Sequence, residues 1–156
     1  MILHQGISNT HIHALLKNES WLDLDSITFQ DGRVLLLHVN FGAEPDFQIR
    51  SIADTKIESC IYYSNGSVTY LSVYDSYSDL SHEVFVGGGS SEEVGYVLLK
   101  DSQTHDLKWL AFFCSSSPFE KIIEVRLDKL VIRSEDGAIT EFDVNTGMSM
   151  LISTGH

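Results

Sequence analysis

Seven histidines, two cysteines and 22 acidic residues are the side chains through which this chain could do chemistry. The histidines stand at His4, His11, His13, His38, His82, His105 and His156, and His11-Ile12-His13 is their one close pair. On a strand both imidazoles would share a face and could grip a zinc ion with His4 or with a carboxylate such as Asp23. On a helix, residues two apart point in different directions and the pair fails. The segment reads as a helix, so no metal site is assigned; His11 and His13 are the nearest approach to one. No cofactor is expected.

Nucleophilic and acid–base chemistry find no better support. There is no Gly-x-Ser-x-Gly elbow, and neither Cys60 nor Cys114 sits in an activating motif. Both cysteines lie in apolar, strand-like surroundings and are expected to be reduced, buried thiols. Asp23 with Asp25, and Glu141 with Asp143, would each share a strand face, but outer faces often carry such charges and no cleft is evident. Val86-Gly87-Gly88-Gly89-Ser90-Ser91 lacks the lysine and hydroxyl of a phosphate loop. Glu92 and Glu93 follow it and would repel phosphate, so a flexible loop is expected. Asp143-Val144-Asn145-Thr146-Gly147 begins like a calcium loop but has no acidic ligand downstream, and reads as a hairpin turn. The chain is therefore read as a non-enzyme.

One stretch combines residue types suited to binding. Tyr70, Tyr74, Asp75, Tyr77 and Asp79 fall close together, and Glu83, Glu92 and Glu93 follow around the glycines. Tyrosine offers contact area at low entropic cost, and carboxylates attract arginine and lysine. With 22 acidic residues against 10 basic ones, the formal charge is −12. Such a chain is repelled by nucleic-acid phosphates and anionic membranes and is steered toward basic partners.

The elements that must position these residues are mainly strands. Asn9 or Thr10 can cap a short helix with an apolar stripe of Ile12, Leu15 and Leu16, ending near Lys17–Asn18. From Trp21 onward, strand-like runs alternate with turn signals. Ser26–Gln30 and Arg33–Asn40 flank Asp31-Gly32, Lys56–Ser64 and Ser67–Tyr74 flank Asn65-Gly66, and Leu130–Ser134 and Ala138–Val144 flank Asp136-Gly137. Each Asx-Gly pair suits a two-residue hairpin turn. Val94–Lys100 and Leu107–Cys114 surround a polar loop at Asp101–Asp106, and Met148–Ser153 closes the series.

Leu107–Cys114 is apolar on both faces, with Trp109, Ala111 and Phe113 opposite Leu110, Phe112 and Cys114. Arg33–Asn40 behaves similarly, with Leu35, Leu37 and Val39 opposite Val34 and Leu36. Strands buried on both sides sit centrally between covering layers. Ile139–Val144 instead puts Glu141 and Asp143 on a wet face. Ser117-Pro118-Phe119-Glu120 has a capping-box form, predicting one helical turn at Pro118–Lys121 followed by a strand.

The expected fold is a single domain over residues 1–156. A helix at about 10–18 precedes a β-rich body over 21–153, a β-sandwich or curled antiparallel sheet of consecutive hairpins. The alternatives are an α+β fold with a helix at about 118–129 and small propeller-like repeats, suggested by hairpin tips spaced roughly 35 residues apart. No stretch approaches the roughly 20 apolar residues of a membrane span, and the opening residues lack a cationic region and apolar core. A cytoplasmic location is expected.

In size, acidity, β-rich character and lack of catalytic motifs, the chain resembles small bacterial immunity proteins. That resemblance implies an acidic protein-binding domain masking a basic partner, such as a cationic nuclease toxin. A β-sandwich ligand-binding or structural module is the first alternative, and a small enzyme whose site assembles only in three dimensions is the second.

Overall fold

The computed structural model describes residues 3–40, 48–64, 67–91 and 93–153. Helix α1, Thr10–Lys17, forms where capping and spacing place it. The Asn9 Oδ1 accepts the amides of His11 and Ile12, each at 3.0 Å, and Ile12 and Leu16 are buried. Past the Asn18 cap, Glu19 takes a left-handed φ of 53° and turns the chain into strand β1, Ser20–Leu22.

The remaining strands are β2 (Ser26–Phe29), β3 (Arg33–Asn40), β4 (Gln48–Lys56), β5 (Val68–Tyr70) and β6 (Ser72–Ser78). They continue as β7 (His82–Gly88), β8 (Gly95–Asp101), β9 (Leu107–Phe113), β10 (Phe119–Val125), β11 (Lys129–Ser134), β12 (Ile139–Asp143) and β13 (Ser149–Ser153). Seven of them form one antiparallel sheet in the order β4-β3-β2-β9-β8-β7-β6. Strands β10 to β13 form a four-stranded meander, and β1 pairs with β5 in a small ribbon.

The seven-stranded sheet separates two apolar cores. On one face Val34, Phe85, Tyr96, Leu98, Leu110 and Phe112 pack under α1, the β1–β5 ribbon and a second helix, α2 (Ile57–Ser64). On the other, Ile27, Leu37, Val97, Trp109, Ala111 and Phe113 meet Phe119, Leu130, Ile132 and Phe142 of the smaller sheet. Strand β9 is thus buried on both sides, with the face assignments that its alternation predicts. The Trp109 indole stacks on Phe142 at 6.0 Å and donates to the Val144 carbonyl at 2.7 Å. Each large side chain buried this way is worth about 1.5–3 kcal/mol over leaving it exposed.

The mainly-β expectation with a short N-terminal helix is what the structure shows. Several local expectations need correction. Ile57–Ser64 is a helix rather than a strand: Ile57, Cys60 and Ile61 follow helical spacing onto the core, and this burial outweighs their strand propensity. Ser67–Tyr74 is broken at buried Leu71, whose amide donates to the Glu19 carbonyl at 2.7 Å, so β5 joins β1. The Asn65-Gly66 turn lies outside the described residues. Phe119 begins a strand directly, with neither a helical turn at Pro118–Lys121 nor a helix over 118–129; Glu120 meets Arg133 at 3.2 Å instead of capping.

The Asp31-Gly32 and Asp136-Gly137 hairpins close through three-residue loops rather than two. Gly32 and Gly137 take φ of +91° and +90° and donate to the Phe29 and Ser134 carbonyls. The strands join two sheets and a ribbon, not repeated propeller blades.

Candidate functional site

Strand β6 is the last strand of the large sheet, and its sequence, Ser72-Val73-Tyr74-Asp75-Ser76-Tyr77-Ser78, has little apolar content to bury. Its pairing with β7 shifts register between Val73 and Asp75, leaving Tyr74 as the extra residue of a β-bulge. Bulges bend an edge strand and re-aim side chains. Tyr70, Tyr74 and Tyr77 remain 65%, 47% and 38% exposed.

The bulge is pinned rather than loose. Asp75 accepts the Ser76 amide through Oδ1 and the Ile122 amide through Oδ2, both at 2.9 Å, tying β6 to β10. Gly87 lies beneath: a Cβ there would stand 1.8 Å from the Ser72 carbonyl oxygen, so only glycine lets β6 pass. The first part of the glycine run is therefore strand and not the flexible loop expected, while residues 89–91 lie in the connection after β7. Val86–Gly88 belongs to β7 and is buried, and a Cβ on Gly88 would meet Pro118 at 3.0 Å.

Beside Tyr74 the surface opens into a groove of about 620 Å³, lined by Tyr74, Gly89, Ser90, Ser91, Ser117, Pro118, Glu135 and Asp136. The two acids come from the β11–β12 hairpin tip, far away in sequence. Backbone bonds dock that tip: Glu135 donates its amide to the Pro118 carbonyl at 2.8 Å, and Asp136 its amide to Ser117 Oγ at 3.2 Å. On the opposite wall, Ser90 Oγ accepts the Tyr70 amide at 2.9 Å and meets Thr69 Oγ1 at 3.1 Å. Among the described residues, no lysine, arginine or histidine lines the groove.

The other residues singled out from sequence do different work. Asp79 accepts the Ser81 and His82 amides and the Tyr77 hydroxyl, shaping the β6–β7 turn. Partial desolvation pushes its pKa up, but these hydrogen bonds outweigh that and hold it below the usual carboxylate value. The same bond to Asp79 raises the Tyr77 phenol. Glu83 is opposite Lys100 in register and 3.8 Å from His105, while buried Lys100 donates to the Gln5 carbonyl at 2.8 Å. Glu83 is therefore engaged beside Lys100 and His105, away from the groove. Glu93 is exposed near the glycines, and Glu92 lies outside the described residues. Sequence reasoning identified the Asp136-Gly137 turn but had no signal that it would meet β6.

The remaining chemistry is quiet. His11 and His13 lie on α1 and part company: His11 is 3.9 Å from Glu58, and His13 sits edge-on to His4 at 4.9 Å. Among the described residues, no three or more His, Cys, Asp or Glu side chains converge as metal ligands. Cys114 donates its amide to Asp25 at 2.7 Å, and burial, with Asp25 and Asp23 alongside, pushes its thiol far up. Burial also raises Cys60. Neither thiol is poised as a nucleophile. A second, apolar cavity of about 270 Å³ lies between α2 and the sheet, lined by residues including Leu22, Leu24, Leu36, Cys60 and Tyr63, with Asp23 beside them.

No helix among the described residues is long and apolar enough to cross a membrane. The sequence matches no protein-family model and has no significant similarity to a curated protein.

Proposed function

We propose that this chain is an acidic protein-binding domain that masks a basic partner, acting as an immunity or inhibitor protein against a cationic toxin such as a nuclease in a bacterial cytoplasm. The observation that supports this most is the exposed Tyr74 lining an acid-bordered groove, whose described lining residues include no cation, on a chain of formal charge −12. The overall charge steers a basic surface into encounter. Tyr74 supplies rigid contact area in the groove, with exposed Tyr70 and Tyr77 flanking it along the chain, and Glu135 and Asp136 supply charge at its border. A nuclease docked through its phosphate-binding face would lose access to its substrate.

The test is affinity capture by the tagged chain from its native cells, followed by assay of the captured protein. A single stoichiometric basic partner, lost from a Tyr74→Ala/Glu135→Lys/Asp136→Lys variant and silenced as a nuclease by equimolar wild-type chain, is the expected result. A partner that keeps full activity when saturated with the chain would overturn masking. The apolar cavity beside α2 favours one second reading, a small-ligand module. Native mass spectrometry showing a retained small molecule, displaced in Leu36→Trp, would support that instead.

A further inference from the structure

Resting on this masking function, we infer that the groove beside Tyr74 is an arginine socket, taking one guanidinium of the basic partner between the tyrosine ring and the Glu135–Asp136 hairpin tip. Three features point the same way. The bulge turns Tyr74 out of the strand ladder, and its ring lines the groove without burying itself in either core. An aromatic face attracts a cation through its quadrupole. Two consecutive carboxylates border the same groove, and among the described residues neither Glu135 nor Asp136 is in an ion pair, whereas Glu120, Glu124 and Glu141 are each matched to an arginine or lysine.

The hairpin tip is also fixed before any partner arrives. Its backbone is bonded to Ser117 and Pro118, and Asp136 Oδ1 already caps the Ala138 amide at 3.1 Å. A docked cation therefore need not order a loop, which keeps the entropic cost of binding low.

Arginine fits these walls better than lysine. Its planar fork can lie flat on a tyrosine while donating in its plane to two carboxylate groups, and it is less strongly hydrated than an ammonium. The groove, at about 620 Å³, is large enough for the side chain together with the backbone that carries it. An extended or looped segment presenting a single prominent arginine is the matching partner surface.

The test is a titration of the isotopically labelled full chain, followed by amide NMR, with the blocked pentapeptide Gly-Gly-Arg-Gly-Gly and its lysine and citrulline counterparts. Saturable shifts confined to Gly89–Ser91, Ser117 and Glu135–Gly137 with the arginine peptide, weaker with lysine and absent with neutral citrulline, are expected. Tyr74→Phe should retain them, and Tyr74→Leu should weaken binding by about two- to fivefold, the loss expected for an exposed cation–π contact. Glu135→Gln/Asp136→Asn should abolish the response while leaving the Trp109 indole resonance in place, which reports an intact core. Equal shifts from arginine and citrulline, or shifts spread over acids on every face, would overturn the socket. A captured native partner that binds the Tyr74→Leu and Glu135→Gln/Asp136→Asn variants as tightly as wild type would also overturn it, yet leave the masking function standing on other residues.

Discussion

Asp75 and Glu135 are both acids close to Tyr74, yet their environments give them opposite roles. Asp75 satisfies two backbone amides, one of them on β10, whereas Glu135 bonds through its backbone and keeps its carboxylate for solvent or a partner. Removing an acceptor from a part-buried amide costs about 1–3 kcal/mol. Asp75→Ala should therefore lower unfolding stability by that amount in urea titrations, while Glu135→Gln stays within about 0.5 kcal/mol of wild type. Equal effects would erase the distinction. Two further groups each lose stability in acid, over different pH windows. Asp79 has a folded pKa below its unfolded one, so its stabilisation is present above the unfolded value and is lost as pH falls through the folded one. Asp79→Asn should flatten the stability profile below about pH 4. His4 is held down by desolvation and by His13, Lys17 and Lys100. In the folded state it resists protonation, so stability should fall as pH drops below about 6.5, and His4→Gln should remove its share of that slope.

Elements were legible from sequence where local and tertiary preferences agreed. Helix α1 announced itself through Asn9 and its stripe, and β3 and β9 through apolar residues on both faces, because no competing structure uses that pattern as well. They failed where tertiary contact decided. Ile57–Ser64 has β-branched and aromatic residues, but a helix puts Ile57 and Cys60 on the core. Tyr70 and Tyr74 could be picked out by type, but Glu135 and Asp136 join them only because β10–β12 fold back over β6 and β7, a contact without local signature. The glycine run misled for a related reason. Gly87 is set against the backbone of Ser72, and Gly88 and Gly89 are crowded by Pro118, Val94 and Thr69, a close packing that resembles flexibility when only the sequence is seen. Gly87→Ala tests that point: β6 would have to move away from a Cβ set against the Ser72 carbonyl, costing about 2 kcal/mol or more. If thermal denaturation showed no loss, the glycine would be a matter of tolerance rather than necessity.

At the scale of the whole molecule, charge acts on folding and on recognition with opposite sign. The folded chain concentrates 22 acids against 10 bases, and the arginine and lysine ion pairs it forms are on partly exposed side chains. Pairs of that kind contribute little, about 0–1 kcal/mol each, so net self-repulsion should outweigh them. Raising sodium chloride from about 20 mM to about 300 mM shortens the screening length from roughly 20 Å to roughly 6 Å. Repulsion between distant carboxylates then fades, and the melting temperature should rise, by about 2–4 °C for each kcal/mol relieved. The same salt should slow capture of a basic partner, because long-range steering is screened while the short contacts at Tyr74 are not. Melting by circular dichroism and association rates from stopped flow would measure the two halves on one sample series. A melting temperature that falls with salt would mean that local ion pairs dominate this fold. An association rate indifferent to salt would mean that the acidic surface serves solubility and takes no part in finding a partner.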